Sequence, residues 1–225
     1  MKFDNGFLIA KFIKRYKRFL VDCELNEEII TAYNPNTGSM EGLLNEGCRV
    51  ALSVSDNPKR KFKYTIEAFE LDNNWVYTNT VNVNNIVKKS IEENAIRELS
   101  YYDYLKPEFK IEDSRVDFFL ERGKDKILVE VKNVTLLKDD TAFFPDAVTK
   151  RGKKHLDLLK KYAQKGYTCY IFYVVGVNAI KFDCAKFIDK DYCKSYKDAL
   201  DCGVKVLTYR HIFDPFKKES NLIAI

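Results

Sequence analysis

The sequence predicts a small all-β barrel followed by an α/β layered domain with a mixed sheet. Three observations carry this reading. Before residue 80, short apolar runs of strand length recur between turn clusters. From Ser90 onward, helix-period and strand-period patterns alternate. Within that second part, Asp117, Glu130 and Lys132 interrupt runs that otherwise read as buried strands. The division expected is 1–82 for the barrel and 83–225 for the α/β domain.

The first module has strand patterns at 7–13, 18–24, 28–33, 49–54, 63–71 and 75–80. Turn signals separate them: Asn34-Pro35-Asn36-Thr37-Gly38, Asn45-Glu46-Gly47, Asp56-Asn57-Pro58 and Asp72-Asn73-Asn74. Five or six such strands in about 75 residues suit a closed barrel, of which the OB-fold is the common nucleic-acid-binding form. Residues 79–85 read as a polar, extended junction. Ser90 and Glu93 have capping-box spacing, so a helix is expected to open there, with Ile91, Ala95, Ile96 and Leu99 on its apolar face.

Strands are then predicted at 109–111, 116–121 and 127–134, with a loop over 137–146. A helix is expected from Thr149 to Gln164, striped by Leu156, Leu159 and Ala163. A continuous apolar run at 167–175 reads as an interior strand. Residues 192–202 read as helix and 204–209 as strand. Helices interleaved with strands imply a layered α/β domain.

The net charge of +5 is unevenly spread. Lys14, Arg15, Lys17 and Arg18 form one basic island, and Lys59, Arg60, Lys61 and Lys63 a second. A third runs from Lys150 through Arg151, Lys153, Lys154, Lys160 and Lys161 to Lys165. Islands beside Tyr16, Phe19, Phe62 and Tyr64 pair cations for a phosphate backbone with rings for bases. Solvated surface lysine is the alternative. The six cysteines form no C-x-x-C pair, and His155 and His211 are far apart, so zinc is not expected and the thiols read as reduced. No apolar run approaches the ~20 residues of a membrane span. Lys11, Lys14 and Arg15 break the apolar stretch near the N-terminus, so the expected location is cytoplasmic, with no membrane partner.

Burying an unpartnered carboxylate costs several kcal/mol, roughly, so Asp117 and Glu130 need a reason. The β period puts Glu130 and Lys132 on one face and Val129 and Val131 on the other. If Asp117 pairs near Glu130, the two carboxylates and the carbonyl of Val131 form a hard-oxygen set suited to Mg²⁺ or Mn²⁺. Lys132 could then act on a water or on phosphorane charge. Glu98, on the flank of the predicted helix, could add a further ligand directly or through water. The competing readings are a buried ion pair at Lys132 and a salt-bridged rim glutamate at Glu98. Lys150, Arg151, Lys153, Lys154 and His155 open the next helix, beside the expected metal. His155 is either a phosphate or water contact or a structural histidine.

Several long motifs occur in order: Arg15-Tyr16-Lys17-Arg18-Phe19, Asn34-Pro35-Asn36-Thr37-Gly38, Ser55-Asp56-Asn57, Arg115-Val116-Asp117-Phe118, Glu130-Val131-Lys132-Asn133-Val134-Thr135-Leu136, and the run from Phe144-Pro145-Asp146 to His155-Leu156. Over about 7–210 the chain closely resembles the sugar fermentation stimulation protein family. The resemblance implies an OB-like domain and a PD-(D/E)xK nuclease-like domain. Asp117, Glu130 and Lys132 match the nuclease motif, and Glu98 its helix acid. Asn133 stands where the family usually has serine. DNA, including single-stranded or branched forms, is the partner implied, with Arg15, Lys17, Arg18, Asn36, Lys59, Arg60, Lys61, Lys150, Arg151, Lys153 and His155 expected to face it. A homodimer is left open. Two functions follow: a metal-dependent DNA nuclease, or a non-catalytic DNA-binding regulator of sugar metabolism genes with an idle nuclease fold. A structural protein with a buried ion pair is the third reading.

Overall fold

A computed structural model describes residues 1–225. The first strands are β1 (Leu8–Tyr16), β2 (Leu20–Leu25), β3 (Glu28–Tyr33), β4 (Arg49–Val54) and β5 (Tyr64–Leu71). β1 pairs antiparallel with β2 and β4, β2 with β3, and β4 with β5. A short parallel contact, Ala32↔Tyr64 and Tyr33↔Thr65, closes the ring. This is the connectivity of an OB barrel. Register shifts in β1 at Phe12/Lys14 and in β4–β5 at Ala51/Leu52 supply the local bends that closure requires. Ala10, Phe12, Val21, Cys23, Val50, Leu52, Ile66 and Phe69 belong to its core, joined by Met40 and Leu43 from the β3–β4 connection. β6 (Asn74–Tyr77) adds to β5 through a two-residue turn, Asp72-Asn73, both at positive φ.

The junction differs from the extended linker expected over 79–85. Helix α1 spans Thr80–Glu92, and the Asn79 side chain caps it by accepting from the Asn82 amide at 3.3 Å. Ser90 is therefore buried in the last turn, and Glu93 is the C-cap rather than part of an opening box. Asn79, Asn82, Asn84 and Asn85 have poor helix propensity and read as loop. Burial of Val83, Ile86, Val87 and Ile91 on one face overrides that. Ala95 is exposed, and Arg97–Leu99 forms only a short 3₁₀ turn.

The remaining elements are β7 (Tyr104–Ile111), β8 (Ser114–Arg122), β9 (Asp125–Val134), β10 (Leu136–Lys138), β11 (Thr141–Phe144), α2 (Lys150–Ala163), β12 (Thr168–Val175), β13 (Lys181–Cys184), α3 (Lys190–Asp201), β14 (Lys205–Asp214) and β15 (Glu219–Ala224). A six-stranded mixed sheet runs β15-β14-β12-β9-β8-β7, with β9, β12 and β14 parallel. α1 covers one face, packing with Phe118, Val129, Val131, Phe172 and Val174. On the other face Leu156, Leu159 and Tyr162 of α2 and Tyr192 of α3 meet Leu128, Ile171 and Tyr173. The expected loop over 137–146 instead holds β10 and β11, which join β13 in a small sheet. β13 and β15 carried no strong strand signal.

Cys184 and Cys193 are joined by a disulfide, contrary to the expectation of reduced thiols throughout. The topology sets the end of β13 against the first turn of α3, a proximity no spacing rule reveals. Cys23, Cys48, Cys169 and Cys202 are free. No helix is long and apolar enough to cross a membrane.

Barrel and sheet share apolar packing rather than a linker. Tyr77, at the end of β6, is fully buried against His211 and Phe213 of β14. His211 Nε2 meets Ser220 Oγ at 2.5 Å. Burial, helped by the nearby N-terminal ammonium, lowers its pKa to about 3. Its depressed value means the unfolded chain takes up the proton first. Stability is therefore expected to fall on acidification from about pH 6.5 toward 3, by up to about 1.4 kcal/mol per pH unit. Urea unfolding across that range should show a shallower dependence for His211→Gln; equal dependences would contradict the assignment.

Candidate active-site cleft

The β8–β9 ladder runs from Arg122↔Asp125 to Phe118↔Val129 and stops. The next residues on the two strands are Asp117 and Glu130. Where the strands part, the Asp117 carboxylate replaces a strand partner: Oδ2 accepts from the Val131 amide at 2.6 Å, and Oδ1 from Asn84 Nδ2 of α1 at 2.7 Å. Glu130 lies on the α2 side of β9 and is 2% exposed. Its Oε1 accepts from Lys132 Nζ at 2.5 Å and pairs with His155 Nδ1. Its Oε2 is buried with no partner.

The electrostatics of the two acids diverge. Burial and then the charge of Glu130 raise the Asp117 pKa to about 6, against the opposing pull of Lys132, the Val131 amide and Asn84. Burial also opposes ionisation of Glu130, but Lys132 and His155 outweigh it and hold that carboxyl below its ordinary value. Two carboxylates thus converge in a low-dielectric pocket, one of them destabilised as an anion.

The acids lie in a cleft of about 290 Å³ bounded by both modules. Asn36 and Gly38 come from the barrel, Thr80 and Asn84 from α1, Asp146 from the β11–α2 connection, and Arg151 and His155 from α2. Arg15 shapes the barrel wall. Its guanidinium donates to the carbonyls of Asn36 (2.9 Å), Gly38 (2.9 Å), Ser39 (3.1 Å) and Arg18 (2.8 Å). Asn36 Oδ1 accepts from the Gly38 amide at 2.8 Å, and Asp146 Oδ2 accepts from the Met40 amide at 3.2 Å. A methyl group on Gly38 would sit 2.3 Å from Asp146 Oδ2. Gly38→Ala is therefore expected to push Asp146 off the barrel loop at a cost of about 1–3 kcal/mol. Thermal unfolding of Gly38→Ala, with partial recovery in Gly38→Ala/Asp146→Ala, checks this; no loss would mean the contact is slack.

Both modules match described families. Residues 13–78 match the SfsA N-terminal OB domain, and residues 82–217 match the sugar fermentation stimulation protein RE domain. The chain belongs to the sugar fermentation stimulation protein family. The homolog from Pelagibacter ubique is 45% identical over 213 residues, covering 93% of this chain and 92% of the relative. The homolog from Pseudoalteromonas atlantica is 42% identical over 217 residues, covering 93% and 92%. The structure of Pyrococcus furiosus SfsA in complex with Ca²⁺ matches with a TM-score of 0.91 at 25% identity, covering 100% of this chain and 96% of that one.

Within this family fold, the positions singled out in the sequence separate. Asp117, Glu130, Val131 and Lys132 line the one cleft, as do Asn36, Arg151 and His155. Glu98 does not. It sits on the 3₁₀ turn, where Oε2 accepts from Tyr209 Oη at 2.7 Å. Because α1 begins at Thr80 rather than near Ser90, the helix residue that meets Asp117 is Asn84. The apolar spacing of Val83, Ile86 and Val87 was the signal that could have located it. No group of three or more acidic, histidine or cysteine side chains converges on a common centre.

The basic residues also divide. Arg15 is committed to loop carbonyls rather than free for phosphate. His155, expected as a phosphate contact, is buried and engaged by Glu130. Arg151 Nε donates toward His155 Nε2 at 3.4 Å, while Nδ1 faces Glu130. Lys153 pairs with Asp157 at 2.8 Å, and Arg60 donates to Thr65 Oγ1 at 3.0 Å. Lys17, Arg18, Lys59, Lys61 and Lys150 are exposed.

Proposed function

We propose that this member of the family binds DNA and hydrolyses phosphodiester bonds in the cleft with the aid of Mg²⁺ or Mn²⁺. The observation that carries the reading is Glu130 Oε2, buried and unpartnered beside an Asp117 whose ionisation burial opposes. An oxygen-seeking divalent ion would relieve both, and the Pyrococcus furiosus relative was solved with such an ion, Ca²⁺. Asp117, Glu130 and the Val131 carbonyl would hold it. Bound there, a divalent cation polarises a phosphoryl oxygen and lowers the pKa of a water.

The chain's own residues supply the rest. Asn84 and the Val131 amide fix the Asp117 carboxylate. His155 and Lys132 occupy Oε1 of Glu130 and so direct Oε2 to the ligand. Lys132, at the cleft wall, can also stabilise negative charge that develops on the phosphoryl oxygens. The barrel loop bounds the cleft on one side, which favours a single strand or a splayed end over an uninterrupted duplex.

The neutral Asn84, standing beside Asp117 where no further acid reaches, supports a second reading: a DNA-binding regulator with an idle site. Single-stranded, duplex and branched DNA incubated with Mg²⁺ or Mn²⁺ separate the two. Cleavage by the wild type, lost in Asp117→Ala and in Lys132→Ala, is the expected result. Intact DNA alongside retained binding would leave only the regulator.

A further inference from the structure

The third basic island resolves into two chemically different faces of α2. Lys153 is paired with Asp157, while Lys161 and Lys165 are paired with Glu112. Arg151 and Lys154 have no carboxylate partner. They face the β7–β8 hairpin, where Lys110 and Arg115 stand directly opposite each other in the ladder. Like charges in that arrangement repel and weaken a strand pair. Neither has an acidic partner within ion-pair reach.

These four cations line a single open trough of about 590 Å³, together with Asp113, Ser114 and the edge of His155. No apolar side chain contributes to it. Arg151 and His155 line both this trough and the acidic cleft, so the two cavities adjoin at these side chains. Four cations against one carboxylate, with His155 the only ring in the lining and that ring itself buried, select a phosphate–sugar backbone rather than nucleobases. Arg151 also lines a third cavity, on the α1 side of the cleft, but there Lys88 is neutralised by Glu92 and Glu108 is nearby. The positive potential is therefore one-sided.

We infer that the trough is a phosphate subsite, holding the backbone phosphates next to the one in the cleft and drawing the strand over the β7–β8 hairpin. It acts without regard to base sequence. The inference rests on the DNA-binding reading above but not on hydrolysis, and its test excludes metal.

The test is fluorescence anisotropy of a labelled oligothymidylate in EDTA over a salt series, with wild type, Arg115→Gln/Lys154→Gln and the barrel variant Lys59→Gln/Lys61→Gln. Two lost phosphate contacts should reduce the slope of log affinity against log salt by about 1.4, at ~0.7 per single-strand contact. The affinity at low salt should fall at least tenfold. Wild-type binding with an unchanged slope in Arg115→Gln/Lys154→Gln overturns the subsite and leaves DNA binding standing. Should that variant not fold, the dinucleotide pdTpdT titrated into labelled wild-type protein decides. Shifts in the Arg115 and Arg151 Nε–H signals support the subsite, and shifts confined to the barrel overturn it. Failure of wild type to bind either probe overturns both readings. A normal slope difference without cleavage in Mg²⁺ overturns hydrolysis alone.

Discussion

Asp117→Asn is expected to stabilise the metal-free protein at pH 7 by about 1–3 kcal/mol while removing its thermal response to Mg²⁺ or Mn²⁺. With its pKa raised to about 6, Asp117 binds its proton more tightly in the fold than in the unfolded chain. The Asp117 contribution to wild-type stability should therefore decline as pH rises from about 4 to 6 and level off above that, opposite in sign to the His211 contribution over the same range. The asparagine carries no such charge. Its Oδ1 can still accept from the Val131 amide, and a turned Asn84 amide can accept from its Nδ2. Urea unfolding of both proteins at pH 4 to 7 should show a gap that opens with pH. A gap that is absent at pH 7, or as large at pH 4, would refute the account. Metal at about 100 times its dissociation constant should add about 2.7 kcal/mol to the wild type and nothing to the variant.

Lys132→Met should have the opposite sign. Glu130 is held ionised in a buried site by Lys132 and His155. Removing one partner of such a pair costs about 3–5 kcal/mol, because the other charge is left uncompensated. The depressed carboxyl of Glu130 stabilises the wild type above the ordinary glutamate range and loses that contribution as pH falls through its folded value. Lys132→Met should show little of this dependence. Glu130→Gln in the same chain removes the stranded charge, so the double variant should lose much less than the two single losses combined. Chemical denaturation of the four proteins measures the coupling; strict additivity would show that Lys132 and Glu130 are not the interacting pair.

The strand positions of the barrel were legible because turn residues bracket them: Asp72-Asn73 adopts the left-handed geometry its composition favours. The grouping of Asp117, Glu130 and Lys132 followed from strand period and from the acids' cost in an apolar run. What was not legible depended on long-range placement. Asn84 lay in a segment whose asparagines signalled loop, and only the burial of Val83 and Ile86 against the sheet makes it helical. Glu98 has the charge of a ligand but follows the helix, so its partner is Tyr209. Arg15 has the charge of a phosphate contact, yet three carbonyls of the 34–40 segment absorb its donors. Type and pattern indicate which residues can do chemistry; topology decides which of them face one another.

The connection from barrel to sheet is mechanical as well as spatial. β6 ends at Tyr77 and α1 starts at Thr80, with Tyr77 Oη clasped by Glu67 and by Asn82 Nδ2 at 2.7 Å. Two residues further along the same helix, Asn84 grips Asp117. The barrel is thus tied to the opening turns of a helix that also holds a site carboxylate. A shift of the barrel against the sheet would therefore carry with it the Asn84 amide that holds Asp117.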